Sequence, residues 1–170
     1  MTKDQKTVAI GALSGIISMI VLVWLLSEAI PAPALPGTPG DRLAYALPWA
    51  VVAVLPFFAM IIAVGNARFL SEAIDPTVGK EDQKIVINGR VAENTLQQYV
   101  CFLAALLALA VMLPADRLSF VPAVAIIFFI ARIVFWIGYR IHPLYRAPGF
   151  SSTAYMNIFM FIAVLWMWIS

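Results

Sequence analysis

The stretch RVAENTLQQYVCFLAALLALAVML, residues 90–113, decides the fold class. Its second half consists almost wholly of apolar residues, whereas its first half carries the hydrogen-bonding side chains of Arg90, Asn94 and Gln97. A helix that crosses the hydrocarbon core of a bilayer needs about 20 mostly apolar residues. The stretch therefore predicts a transmembrane helix whose N-terminal turns carry strongly hydrogen-bonding side chains.

The whole chain has the composition of an integral membrane protein. Of its 170 residues, 63% are hydrophobic and 12% are charged, whereas soluble domains are about half apolar and about a quarter charged. The single cysteine, Cys101, excludes an intramolecular disulfide. Lys and Arg are scattered, with no basic aromatic patch, so we predict no nucleic-acid partner. A single His and a single Cys likewise predict no metal site.

Five apolar stretches are long enough to span a bilayer, and they predict an all-α bundle of five transmembrane helices. We expect residues 43–170 to form a four-helix transmembrane domain. Residues 1–42 would then supply an additional N-terminal helix and the Pro- and Gly-rich linker PAPALPGTPG. The predicted spans cover roughly residues 8–30, 43–65, 95–114, 118–141 and 153–169.

The distribution of Lys and Arg predicts the orientation of these spans. With five spans, the N-terminus and the second and fourth connections share one side, and that side holds eight Lys and Arg, against two on the other. Cytoplasmic loops carry the excess of Lys and Arg. We therefore predict a cytoplasmic N-terminus and a C-terminus on the opposite side of the membrane.

Polar residues of the third span share one face of the predicted helix. At 100° per residue, Arg90, Asn94, Gln97 and Cys101 lie on a narrow stripe over three turns. A plainer interpretation stays open for each of them. Arg90 could be a headgroup anchor, Asn94 and Gln97 could join helices through hydrogen bonds, and Cys101 could be a small packing residue.

The fourth span contains a charge at depth. Arg132 lies eight residues before Arg140, about 12 Å further into the membrane at 1.5 Å per residue. Inserting a charge at that depth costs a few kcal/mol unless the charge is paired or hydrated. Arg132 should therefore face protein. The one acid placed deep in a span, Glu28, lies towards the opposite side. An Asn or Gln of the third span, a backbone carbonyl or an anionic ligand would then have to satisfy Arg132.

At these two stretches the sequence resembles the MAPEG family, the membrane-associated proteins in eicosanoid and glutathione metabolism. Enzymes of that family carry R-x-x-x-N-x-x-E at the start of a span, and RVAENTLQ matches it with Arg90, Asn94 and, in place of the glutamate, Gln97. They also carry R-x-x-Y-x-x-G-Y with an arginine seven residues further on. That second pattern is matched by Arg132, Phe135 in place of the first tyrosine, Gly138, Tyr139 and Arg146.

The resemblance covers the last four spans and implies both an assembly and a ligand. It implies a homotrimer of helical bundles, with glutathione bound between subunits as substrate or ligand and a small lipophilic substrate arriving from the membrane lipids. Arg146 would face the thiol as the catalytic residue. The expected glutathione-binding residues are Arg68, Arg90, Asn94, Gln97, Arg132 and Tyr139.

Two functions follow from this resemblance, and the sequence leaves both open. The first is a glutathione transferase or peroxidase that activates the thiolate against lipophilic electrophiles. The second is a non-catalytic membrane protein that binds lipid or a protein partner, as the extra first span resembles the mattrin branch of the family. Gln97 and Phe135 depart from the enzyme pattern and favour the second. A small transporter or channel subunit is a third, weaker alternative, because the polar stripe ends near Cys101.

Overall fold

A computed structural model describes residues 1–34 and 37–170, which form five long helices. Each helix is long and apolar enough to cross a membrane. The large side chains that they expose are mostly Leu, Ile, Val, Phe and Trp, as a lipid-facing surface requires. The prediction of an all-α protein with five spans is thus confirmed. The helices are α1 Lys3–Ala29, α2 Pro39–Phe69, α3 Gln83–Met112, α4 Phe120–Ile141 and α5 Ala147–Ile169.

The helices extend beyond the predicted spans, because an apolar run marks only the part of a helix that lies in hydrocarbon. The third helix begins at Gln83, twelve residues before the predicted start at Thr95. Its first turn is capped by the Asp82 carboxylate, which accepts a hydrogen bond of 2.8 Å from the backbone N–H of Ile85. The polar segment that contains Arg90, Asn94 and Gln97 is therefore part of the helix, so its side chains project at fixed angles around the helix axis.

Local polar contacts hold the described parts of the connections between the helices. The predicted linker of residues 31–40 includes Leu35 and Pro36, which lie outside the described residues. Between α2 and α3, Arg68 forms an ion pair with Glu81. In the same connection, Thr77 donates from its backbone N–H and its hydroxyl to Asp75, and these bonds hold the pKa of the Asp75 carboxyl below its usual value.

A single arginine covers the end of α3. The Arg42 guanidinium, from the first turns of α2, donates to the backbone carbonyls of Val111 at 3.0 Å and Leu113 at 2.5 Å. The last carbonyls of a helix have no partner within the helix, and the positive charge also suits the negative end of the helix dipole. A 3₁₀ turn at Ala115–Arg117 then leads directly into α4, as the short PADR connection predicts.

The first helix packs closely against α5 through small residues. The hydroxyl of Ser152 donates to the carbonyl of Gly15 at 2.9 Å, and that of Ser151 donates to the carbonyl of Ala12 at 3.0 Å. In lipid, helices associate through close packing and interhelical hydrogen bonds, which small residues permit. Although α1 lies outside the predicted four-helix domain, it is docked against that domain along its length.

We predict that Gly15→Ala destabilises this contact. A Cβ at position 15 would overlap the carbonyl oxygen of Pro148 and lie 2.6 Å from Oγ of Ser151, and overpacking of this kind costs about 1–3 kcal/mol. The melting temperature of the detergent-solubilised protein should fall. The matched control is Gly89→Ala in α3, where a Cβ meets no atom within 4 Å. Equal melting temperatures for the two variants would contradict the packing described.

Candidate functional site

A cavity of about 610 Å³ lies at the end of the bundle where α1 and α3 begin and α4 ends. We call it the polar cavity, because arginine, asparagine and tyrosine side chains line one part of its wall. Four helices, α1, α3, α4 and α5, and the turn between α4 and α5 contribute to it. Its lining residues are Val8, Ala12, Arg90, Asn94, Phe135, Tyr139, Leu144, Arg146, Ala147, Phe150, Ser151 and Tyr155.

The polar part of the wall comes from three elements. Arg90 and Asn94 lie one turn apart on α3, so both project from the same face. Tyr139 reaches the cavity from the last turns of α4, and Arg146 reaches it from the 3₁₀ turn Pro143–Arg146. The Arg146 guanidinium lies 3.5 Å from the Tyr139 hydroxyl and 5.1 Å from the centre of its ring. Four of the seven predicted site residues are thus brought together in one chain.

A glycine sets the position of Arg146. At Gly138 the chain of α4 has no side chain, and a Cβ there would overlap the carbonyl oxygen of Tyr145. Because of this close approach, the turn after α4 folds back against the helix that it has just left. Arg146 consequently stands beside Tyr139 and not beyond the end of the bundle.

The remaining wall of the polar cavity is mostly apolar and includes the first helix. Val8 and Ala12 contribute from α1, and Phe150 and Tyr155 contribute from α5. The sequence leaves the role of α1 open, and the structure shows that it closes one side of this cavity. A charged region and an apolar region therefore share a single space.

Arg132 lies behind the polar cavity and does not line it. It is fully buried, and its guanidinium donates four hydrogen bonds to neutral side-chain oxygens: two to Thr95, at 2.8 and 3.1 Å, one to Thr153 at 3.1 Å and one to Asn94 at 3.0 Å. The guanidinium carbon also lies 4.0 Å from the centre of the Phe135 ring. Within the described residues, no carboxylate compensates this charge.

Asn94 connects this buried charge with the cavity. Its side-chain oxygen accepts from Arg132, and the same residue lines the cavity wall. Phe135 likewise lies over the guanidinium and faces the cavity. An uncompensated charge at low dielectric acts over a longer range than one in water. Together with the exposed cations Arg90 and Arg146, it makes the polar cavity attractive to an anion.

Besides Arg132, two further predicted site residues do not line this cavity. Gln97 is exposed on α3, and Arg68 is engaged with Glu81 at the end of α2. Neighbouring Gln98, which lies off the polar stripe, instead accepts a hydrogen bond of 2.9 Å from Asn157 of α5. The stripe thus divides into a cavity-facing part and an outward-facing part.

Thr95 and Thr153 are partners of Arg132 that the sequence did not predict. An amide of the third span was among the expected partners, and Asn94 is one. The two threonines look like ordinary members of apolar stretches. The signal that would have found them is the presence of small hydroxyl residues at the depth of an arginine that has no acid within reach.

Comparison with known proteins assigns the family. The sequence model of the MAPEG family matches residues 46–166. The chain belongs to the MAPEG family. Among curated proteins, it is 26% identical to Transmembrane protein 79 of Mus musculus over 122 residues, which cover 72% of this chain and 31% of that protein. Transmembrane protein 79 of Bos taurus is 27% identical over 122 residues, 72% of this chain and 30% of that protein.

The alignments span about a third of the length of these curated relatives. No solved structure matches the chain. The family therefore accounts for the helical membrane bundle. It leaves the ligand and the reaction to be argued from the site.

We predict that Thr95→Val destabilises the bundle. The change keeps the shape of the side chain but removes the oxygen that accepts two hydrogen bonds from Arg132. Depriving a buried charged group of such partners costs about 1–3 kcal/mol or more. The free energy of unfolding, measured by denaturant titration in mixed micelles, should fall by that amount.

The matched control is Thr7→Val in α1, because the one hydrogen bond of the Thr7 hydroxyl within residues 1–34 and 37–170 is to the Lys3 carbonyl of its own helix, at 3.1 Å. This variant should unfold like the unmodified protein. If Thr95→Val were as stable as Thr7→Val, the threonine would not be a significant partner of the buried guanidinium.

Proposed function

We propose that the polar cavity binds glutathione and that the protein uses its thiolate against lipophilic electrophiles. The observation that carries this proposal is the convergence of Arg90, Asn94, Tyr139 and Arg146 on one cavity, in the spacing by which the sequence resembles glutathione-dependent members of its family. Glutathione offers two carboxylates, an ammonium group and a thiol. Guanidinium groups suit its carboxylates, because they can donate two parallel hydrogen bonds to one carboxylate.

Arg90 is the proposed carboxylate-binding residue. It is exposed, lines the cavity and has no carboxylate partner among the described residues. Asn94 offers an amide N–H₂ one turn away while its oxygen is occupied by Arg132. That hydrogen bond fixes the orientation of the amide, so the amide nitrogen is directed away from Arg132 and is free to donate to a ligand.

Arg146 is the proposed thiolate-stabilising residue. A free thiol with a pKa of about 8.5 is mostly protonated at pH 7, and the thiolate is the nucleophile. A guanidinium beside the sulfur favours the charged form and lowers the thiol pKa, by one unit for about 1.4 kcal/mol. The Tyr139 hydroxyl, 3.5 Å from the Arg146 guanidinium, would donate to the same sulfur.

The apolar wall suits the second substrate. In a transferase reaction, the thiolate forms a C–S bond with an electrophilic carbon, and the leaving group departs or a proton is added to the adduct. In a peroxidase reaction, two glutathione molecules reduce one lipid hydroperoxide to the alcohol and water and become the disulfide. Val8, Ala12 and Phe150 would hold the apolar body of either substrate close to the sulfur.

The proposal includes the trimer that the resemblance implies. Gln97 faces outward and Arg68 lies away from the cavity within one subunit. A role for either in binding glutathione therefore requires that a neighbouring subunit lie against the site. In that arrangement glutathione would be held between subunits and screened from bulk water.

We predict that Arg146→Ala changes the pH dependence of thiol conjugation. In the unmodified protein, the rate with an aromatic electrophile should rise with pH through a bound-thiol pKa below about 8.5. Without the guanidinium this rise should move to higher pH. The rate at pH 7 should then fall about tenfold for each unit of displacement, and the difference should shrink above pH 9.

The matched control is Arg140→Ala. Arg140 lies close to Arg146 in sequence, but it stands over the Trp136 ring at 6.0 Å and does not line the cavity. Its pH profile should coincide with that of the unmodified protein. Coincident profiles for Arg146→Ala and Arg140→Ala, or no glutathione-dependent rate in any of the three proteins, would refute the enzymatic proposal.

A second candidate function rests on the charges of the cavity. Its described lining residues include two arginines but neither Asp nor Glu, so no carboxylate opposes the ammonium group of glutathione. Phe135 also lacks the hydroxyl that the tyrosine of the enzyme pattern would place in the cavity. Both features suit an anion without an ammonium group, such as the carboxylate of a fatty acid, bound without being transformed.

Competition between the two ligands distinguishes the candidates. If the cavity serves glutathione, millimolar glutathione should displace a fluorescent fatty acid, and Arg90→Ala should weaken glutathione binding about tenfold or more, since a charge-assisted hydrogen bond contributes about 1.5–3 kcal/mol. If the cavity serves a lipid anion, the fatty acid should bind at micromolar concentration, lose affinity in Arg90→Ala and resist displacement by glutathione.

A further inference from the structure

Two further cavities lie at the opposite end of the bundle, and they adjoin each other. One, which we call the outer recess, has a volume of about 380 Å³ and is lined by polar side chains, among them Ser27, Glu28, Asp116, Arg117 and Ser119. The other, which we call the apolar chamber, has a volume of about 450 Å³. Arg117 and Phe120 line both cavities. The two therefore meet at these two residues.

The apolar chamber is suited to a hydrocarbon chain. It lies between α1, α3, α4 and α5, and Arg117 is its one charged lining residue. Its wall includes Trp24 of α1, Val124 of α4 and Phe159 of α5. Such a chamber offers nothing to a polar solute, whereas an acyl chain buries apolar surface there.

The outer recess lies at the level of lipid headgroups. Helix α1 has 27 residues and is about 40 Å long at 1.5 Å per residue, which matches a bilayer including its headgroup regions. Ser27 and Glu28 belong to its last turn. A molecule that occupied both cavities would therefore have its polar end among the headgroups and its apolar end in the hydrocarbon.

The order of charged side chains along the two cavities indicates which kind of lipid would fit them. Passing outward, a ligand meets the apolar chamber, then Arg117 at the junction, and then Glu28 and Asp116 in the recess. A phospholipid with an ethanolamine headgroup carries acyl chain, phosphate and ammonium in that same order. Arg117 forms an exposed ion pair with Asp116, with Nε 3.7 Å from the carboxylate and beyond hydrogen-bond distance. Because such exposed pairs are weak and its side chain is 65% exposed, the guanidinium stays accessible to the phosphate. Glu28 has no cationic partner among the described residues.

We infer that this end of the bundle binds one phosphatidylethanolamine molecule, with an acyl chain in the apolar chamber, its phosphate on Arg117 and its ammonium on Glu28 and Asp116. The site is independent of the polar cavity. Along α1 its headgroup end at Ser27 lies fifteen residues from Ala12 of the polar cavity, about 22 Å, and its nearest chamber residue, Met19, lies seven residues from Ala12, about 10 Å. Neither site needs the other to be occupied.

Native mass spectrometry of the delipidated protein tests this inference. The protein is supplied with equal amounts of phosphatidylethanolamine and phosphatidylglycerol, which has the phosphate but lacks the ammonium group. One phosphatidylethanolamine per chain should be retained, at least fivefold in preference to phosphatidylglycerol. Equal retention of both lipids would overturn the inference, because it would indicate annular lipid only.

Substitutions test which side chain contacts the ammonium group and which contacts the phosphate. Glu28→Gln should abolish the preference for the ammonium headgroup, and Arg117→Gln should lower the retention of both lipids at least fivefold. The matched controls are Glu72→Gln and Arg140→Gln, exposed charges at the other end of the bundle, which should leave the preference unchanged. Unchanged preference in Glu28→Gln would exclude the proposed contact.

A crosslinking measurement on the unmodified protein does not depend on the folding of any variant. Phosphatidylethanolamine with a diazirine at the end of one acyl chain should label the chamber wall, at residues such as Trp24, Met160 and Phe159. An excess of unlabelled phosphatidylethanolamine should suppress this labelling. Labelling spread over the lipid-facing surfaces of α2, without enrichment at the chamber, would refute the site.

Discussion

The guanidinium of Arg132 is the constraint on which the bundle depends. It extends from α4 and donates to α3 through Thr95 and Asn94 and to α5 through Thr153. A charge in the membrane is tolerated only where its donors find oxygens. Three helices must therefore meet at one depth and with one rotation, and this fixes which faces of α3 and α4 turn towards each other. The nearby cavity owes its shape to that arrangement.

The same interaction links stability to ligand chemistry. The acceptors of Arg132 are neutral, so its positive charge is solvated but not cancelled. Asn94 and Phe135 stand between this charge and the polar cavity. The bundle thereby holds a positive potential close to a space that also contains Arg90 and Arg146. Such a cavity favours an anionic ligand, whether that ligand is a peptide or a lipid.

The sequence was sufficient to predict the fold and the family, because both are encoded in local patterns. Span number follows from apolar length, and the residues spaced from Arg90 to Asn94 and from Tyr139 to Arg146 line one cavity. The partners of Arg132 did not follow, since Thr95 and Thr153 become its ligands only through helix rotation. Likewise, the angular stripe grouped Gln97 with Arg90, yet the neighbouring helices leave Gln97 facing outward. Helix rotation is set by tertiary packing, which a single-helix projection does not contain.

Gly138 shows that a residue without a side chain can set the position of a charged one. The carbonyl of Tyr145 rests where its Cβ would be, and this contact carries Arg146 back over Tyr139. In a mutational survey, a larger residue at this position would retain every polar group of the site and would still move the guanidinium away from its phenol neighbour. Relatives with all the charged signature residues but a bulkier residue here would thus carry the same polar groups without the contact between Arg146 and Tyr139.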